Sequence, residues 1–185
     1  MALTWITGNY YLNVSQMTNN ATIIWGYFNK LKWTLNAVAG MLGNMQTEST
    51  INPGIWENLD SGNVNKGFGL VQWTPATKLI EWAGTQFRNG YKQCDRIQWE
   101  MENGQQWIAQ PGYDMTFREF STSTLTPYEL AMYFIHNYER PENPNQPERG
   151  SQANYWYEIL SGVVPPDPPY LKKNKTPIWM YKYII

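Results

Sequence analysis

Apolar side chains recur with a helical period from position 17: Met17, Ala21, Ile24, Trp25, Phe28 and Leu31 fall on one face of a 3.6-residue repeat. Ser15 is placed to cap the helix they imply. A second helix starts near Thr34 and turns Leu35, Val38, Leu42 and Met45 inward. Ala37, Gly40 and Gly43 form a small-residue stripe along it. Each glycine inside a helix costs about 1 kcal/mol relative to alanine, so the stripe predicts close approach of another helix. This helix ends near Glu48 and Ser49, ahead of the turn signal Asn52-Pro53-Gly54.

Residues 54–66 read as a loop rich in Asn, Gly and Asp. Gly67-Phe-Gly-Leu-Val-Gln-Trp73 then reads as a short strand or hairpin arm. Thr74-Pro75 predicts a helix start, with Thr74 as cap and proline in the first turn; that helix buries Ala76, Leu79, Ile80 and Ala83. The spacing of Cys94, Ile97 and Met101 predicts a helix over about 93–103. Thr116 with Glu119, and Thr126 with Glu129, both match the capping box. The second box opens a helix burying Leu130, Ala131, Phe134, Ile135 and Tyr138. A last helix over about 148–160 carries Ala153, Trp156, Tyr157 and Leu160 on one face. The pattern predicts an α+β fold, mostly helical, with a small β-hairpin element. It divides the chain into a globular domain over 1–162, a proline-rich linker over 163–169 held extended by its prolines, and a basic then apolar tail over 170–185.

Composition narrows the function. The 185 residues suffice for one domain with a sizeable core. A net charge of −1 leaves no electrostatic footprint for nucleic acid, and no apolar run approaches the roughly 20 residues of a membrane span. The start of the chain lacks the basic and apolar regions of a secretion signal, so folding in a cytoplasm is expected. Ten Trp and thirteen Tyr exceed what a core alone asks for and suit a groove that meets flat sugar faces.

Residue counts remove several chemistries. With one cysteine, Cys94, there is no intrachain disulfide. With one histidine, His136, a histidine-rich zinc site is not available. His136 lies in a strongly helical stretch and reads as structural, and Cys94 reads as a small buried hydrophobe rather than a nucleophile. No phosphate-binding loop or dinucleotide fingerprint occurs. No cofactor and no metal are expected, and carboxylates remain as the catalytic groups.

Glu48 is the leading carboxylate. It sits at the C-terminal end of a predicted helix, where the dipole disfavours negative charge, and its neighbours Leu42, Met45 and Ile51 are apolar. Both effects favour the protonated form that a general acid needs. An ordinary solvated helix-end glutamate is the competing reading from spacing alone.

The motifs around Glu48 add a resemblance. Glu48-Ser49-Thr50-Ile51-Asn52-Pro53 followed by Gly67-Phe-Gly-Leu-Val-Gln-Trp73 resembles the goose-type lysozyme and lytic transglycosylase superfamily. There a Glu-Ser pair ends a helix and a Gly-Leu-x-Gln strand lines the sugar groove. Residues 40–54, the 67–73 motif and residues 138–150 look like the phage tail lysozyme family. Within it the resemblance is strongest to the lysozyme domain of the tail-tip, wall-degrading protein of Bacillus podoviruses, and it covers about residues 9–162. It implies a lysozyme-like fold, muramidase activity on bacterial peptidoglycan and a place at the virion tail tip. Relatives of this type often carry a peptidase domain after the linker, an activity not expected here because the chain stops after a short tail.

The resemblance also assigns residues. Glu48 is the general acid, with Ser49 beside it. Gln72 directs an amide at sugar hydroxyls or the N-acetyl group, and Gly69 belongs to the groove strand. Phe68 and Trp73 are groove walls or core. Tyr138 is a hydrogen-bond partner for Glu48 or a packing residue. For the second carboxylate, Glu57 and Asp60 are both placed to return across a groove; the podovirus domain has an amide in place of Glu57, which favours Asp60. The charged residues Glu139, Arg140, Glu148 and Arg149 read as pins for the 143–147 loop, with no chemistry assigned. Three functions stay open: a muramidase, a lytic transglycosylase that leaves an anhydro sugar, and a wall-binding tail protein without turnover. Service in late lysis is also open. The apolar end of the 170–185 tail suggests attachment to other tail proteins.

Overall fold

The computed structural model describes residues 3–168. Its elements are α1 (Val14–Lys30), α2 (Leu35–Ser49), α3 (Thr77–Ala83), α4 (Gly90–Glu102), α5 (Phe117–Thr122), α6 (Pro127–Phe134) and α7 (Pro147–Ser161). A π-helical turn over Ile135–Glu139 extends α6, and single 3-10 turns lie at Glu57–Leu59 and Gly84–Gln86. No helix among the described residues is long and apolar enough to cross a membrane.

Helix α2 is the centre. Every residue from Ala37 to Met45 is buried, the all-round burial of a helix packed on several sides. The glycine stripe makes this possible. A Cβ on Gly40 would lie 2.8 Å from the Cβ of Leu130 on α6, and one on Gly43 would lie 2.2 Å from the carbonyl oxygen of Arg149 on α7. The expected close approach is therefore two approaches, with α6 and α7 both laid against α2.

The helix starts follow their caps. Thr34 accepts from the Ala37 amide, and Thr116 and Thr126 both form reciprocal capping boxes with Glu119 and Glu129. Two expected starts move. Asn13, not Ser15, caps α1, because Asn13 and Gln16 complete a capping box two residues earlier. Thr74 does not cap α3: its hydroxyl donates to the Gln72 carbonyl, the Thr74–Pro75 peptide is cis, and the helix begins at Thr77.

The expected hairpin is reduced to isolated bridges. Phe68 and Trp73 exchange backbone hydrogen bonds, and Phe68 also bridges Trp56, but no strand forms among the described residues. The reason is local. Gly69 and Gln72 both take left-handed conformations, with φ of 83° and 47°, which closes a tight turn after one residue pair. Phe68, Leu70 and Val71 are all buried, so the alternation of a two-faced strand is absent.

Aromatic residues supply much of the core. Phe28, Trp33, Trp107, Phe117, Phe120, Phe134 and Tyr138 form one continuous cluster in which Trp107 stacks on Phe117 at 4.7 Å. After α7 the chain returns along α1: Pro166 covers Gly26, and Asp167 pairs with Lys30 at 2.6 Å. The tail over 170–185 lies outside the described residues.

Candidate active site

Helix α2 ends in an unusual backbone. Thr50 and Ile51 are both left-handed, with φ of 51° and 55°, and the chain reverses within two residues. Ile51 is buried, and Ser49 is tied inward, its hydroxyl donating to the Met45 and Leu70 carbonyls. Asn52 anchors the N-terminal segment by donating to the Gly8 and Tyr10 carbonyls. The turn leaves Glu48 as the side chain that opens outward.

Glu48 faces a cleft of about 490 Å³. Thr47 and Glu48 contribute from α2, residues 55–58 and 71–74 from the loops, Lys78 from α3, and Gln106 with residues 138–141 from the far segment. Tyr11 stands at the cleft as a strongly exposed ring. Of the residues singled out from sequence, the cleft gathers Glu48, Gln72, Trp73, Tyr138 and Glu57. It does not gather Ser49, Phe68, Gly69 or Asp60.

Each has a physical account. Ser49 holds the 67–73 turn to α2 through Leu70. Phe68 is fully enclosed against Trp56 and Phe87. Gly69 leaves room for the Gln93 amide, whose oxygen accepts from the Leu70 amide at 2.9 Å. Asp60 is exposed and bound to Lys66 at 3.0 Å and to the Asn63 amide; those bonds hold its carboxyl below the ordinary range, the Asn63 bond most. Glu57 accepts from the Gly67 amide at 2.8 Å through Oε2. Gln72 donates to the Gly69 carbonyl at 2.9 Å, while its Oε1 is enclosed without a protein partner.

Tyr138 does not bond Glu48. Its hydroxyl donates to the buried Glu100 at 2.5 Å, and Glu100 also accepts from Trp73 Nε1 and Arg96. Burial pushes the Glu100 carboxyl up against the pull of these donors. Glu100 thus joins α4, the 67–73 turn and the π-helical turn at one point behind the cleft.

The cation beside Glu48 is Arg149. Its guanidinium meets Glu48 at 2.7 Å with the arginine side chain only 4% exposed. It also donates to Asn44 and, through Nε, to Gln146. The loop-pinning role expected of Arg149 is present through Gln146, but the same side chain reaches the site. Glu139, also left without chemistry by the sequence reading, lies in the cleft wall. Its Oε1 is enclosed with no hydrogen-bond partner. Burial pushes its carboxyl well above the ordinary range; the charges of Glu48 and Glu100 push the same way, and Arg149 and Arg140 oppose them.

Both residues carried a readable signal. Arg149 heads the stripe Ala153, Trp156, Leu160, and Glu139 follows Ala131 and Ile135 at four-residue steps. A charge on an apolar stripe marks a group that is enclosed and either paired or neutral. His136 stacks on Tyr113 at 3.8 Å outside the cleft, and Cys94 is wholly buried. Among the described residues no cluster of three metal-ligating side chains occurs.

Comparison with known proteins matches this arrangement to a family. Residues 19–160 match the phage tail lysozyme family, a span that runs from α1 through α7 and includes the cleft-lining residues other than Tyr11. The chain belongs to the phage tail lysozyme family. A curated relative, Morphogenesis protein 1 of Bacillus phage B103, is 58% identical over 160 residues. That alignment covers 83% of this chain and 42% of the relative, so the chain spans less than half of that protein's length.

Proposed function

We propose that this tail lysozyme is a muramidase that hydrolyses the β-1,4 bond between N-acetylmuramic acid and N-acetylglucosamine, with Glu48 as general acid. It would act at the virion tail tip, to breach the host wall during infection. The observation that carries this reading is Glu48 opening from the end of α2 into a cleft that also holds Glu57 and Gln72. A glycosidase needs one carboxyl to protonate the leaving oxygen and a second group to orient water or stabilise positive charge on the ring. Glu57 is the second carboxylate we assign, in preference to Asp60, because Glu57 lines the cleft and Asp60 is spent on Lys66 and Asn63. Gln72 would line the sugar groove beside Glu48.

A lytic transglycosylase is the second reading, favoured by the position of Asp60 outside the cleft. Mass spectrometry of purified peptidoglycan digested by the protein separates the two. We expect new reducing muramic acid ends. Anhydro-muramic acid in their place would establish transglycosylation, and products with only freed amines would end the glycosidase reading.

We further propose that residues 170–185 attach the domain to other tail proteins, a reading supported by the run of Trp179, Met180, Tyr181, Tyr183, Ile184 and Ile185. A chain lacking these residues is expected to digest peptidoglycan at the full rate and to be lost from assembled virions. Normal incorporation would refute the attachment.

A further inference from the structure

Glu139 ends the π-helical turn, a local widening of the helix that often occurs at functional positions. It shares the cleft wall with Glu48, and its Oε1 is sealed from solvent without a donor. An ionised Glu139 would leave Oε1 desolvated and unpaired, at a cost in free energy, although the residue as a whole is half-buried. The nearby cations do not relieve it. Arg149 is committed to Glu48, Asn44 and Gln146. Arg140 gives its guanidinium to the Gln106 and Asn137 carbonyls. The charged groups around Glu139 are therefore Glu48 from α2, Arg149 from α7, Glu100 from α4 and Arg140 beside it. Tyr138, next in the chain, is turned away to Glu100.

We propose that Glu139 and Glu48 hold one proton between them, and that Glu139 is the positioning residue that keeps this proton available to Glu48. The inference rests on the reading of Glu48 as the acid. Glu139 is the member whose enclosed, unpaired oxygen favours the protonated form, and Glu48 is the member bound to Arg149. Two carboxyls whose surroundings push their proton affinities apart are the usual basis of acid and base assignment. During cleavage the pair's proton passes through Glu48 to the leaving glycosidic oxygen, and the carbon–oxygen bond breaks. Both carboxyls are then charged. The attacking water bonds to the sugar carbon and releases a proton, which returns to the pair. In transglycosylation the sugar's own hydroxyl releases it instead, and the balance is the same.

The pH dependence follows with a definite sign. The acid is active while the pair retains its proton, so activity falls as pH rises through the loss of that proton. A charged Glu139 beside Glu48 raises the pair's hold on it. Glu139→Gln removes that charge and keeps the shape, so Glu48 gives up its proton at lower pH. The high-pH limb of the rate profile on purified peptidoglycan should move down by about one pH unit or more, a roughly tenfold loss above the limb, with activity recovered at lower pH. A uniform loss with an unchanged profile would mean that Glu139 is only structural, and would overturn the proposal.

Carbon-13 NMR of glutamate-labelled protein gives a second readout that does not need activity. The Glu139 carboxyl should titrate above the ordinary glutamate range, its signal should be missing in Glu139→Gln, and it should titrate at lower pH in Glu48→Gln. A Glu139 carboxyl that titrates in the ordinary range, or whose titration ignores Glu48→Gln, would also overturn it. If Glu48→Gln digests peptidoglycan like wild type, the reading of Glu48 fails, while the NMR titration still decides whether the two carboxyls share a proton.

Discussion

Glu48→Gln is expected to slow peptidoglycan cleavage by about a thousandfold, the scale of a lost general acid, without unfolding the protein. Glutamine is the informative replacement. Arg149 is almost fully buried and gives NH1 to Glu48 Oε1. Alanine would leave that guanidinium charged and short of a partner, a change that costs about 3–5 kcal/mol in buried pairs. The glutamine amide keeps an acceptor oxygen for Arg149 but has neither the transferable proton nor the negative charge. Rate and melting temperature therefore separate cleanly: the first should collapse and the second should move by a few degrees at most. Equal rates for the variant and wild type at the same protein concentration would remove Glu48 from the role of proton donor.

The difference between what the sequence discloses and what it conceals lies in the range of the interaction. Local signals read well. The capping boxes at Thr116 and Thr126 need residues three apart, and both form. The stripes of α1, α4 and α7 need only a 3.6-residue period, and Met17, Ile97 and Trp156 are buried as that period requires. The two errors at helix starts are also local, since Asn13 with Gln16 competes directly with Ser15. The hairpin is lost to the left-handed Gly69 and Gln72 together with contacts from outside the segment. Gly67-Phe-Gly-Leu-Val-Gln-Trp73 has strand-forming residues, but the buried contacts of Phe68, Leu70 and Val71 and the bond from Ser49 to Leu70 bend it into a turn.

The site was legible only on one side. Glu48 and Gln72 are identified by a motif contained within 25 residues of chain. Arg149 lies 101 positions after Glu48 in the numbering, and only the packing of α7 on α2 brings them together. Glu100 and Tyr138 meet for the same kind of reason, through α4 and the π-helical turn. The residual clue was a charge on an apolar stripe: Arg149 above Ala153 and Trp156, Glu100 beside Ile97, Glu139 after Ile135. In each case the period says that the residue is inside, and burial says that it must be paired or neutral. That reasoning reaches the existence of a partner but not its identity, because a periodic pattern carries no information on which helix lies opposite.

Gly43→Val should be the most destabilising single change on the helical framework, and should damage the site as well. The Cβ of any residue at this position would fall 2.2 Å from the Arg149 carbonyl oxygen and 2.8 Å from the Ala153 amide nitrogen. Both are backbone atoms of α7, so no side-chain rotation relieves the clash and the helix itself must shift. Overpacking of this kind costs about 1–3 kcal/mol even where flexible side chains can yield, and a rigid helix puts the cost at the upper end or beyond. At about 2–4 °C per kcal/mol for a chain of this size, the melting temperature should fall by roughly 10 °C. Gly162→Ala is the matching control, since nothing lies within 4 Å of its Cβ, and it should melt with wild type. The clash is against the same α7 residue that pairs with Glu48, so the displaced helix also withdraws the guanidinium from the carboxylate. Activity measured well below the variant's melting temperature should therefore drop too, with a changed pH profile. A Gly43→Val protein with wild-type melting and wild-type pH dependence would contradict the close packing of α7 on α2 and, with it, the placement of Arg149 at the site.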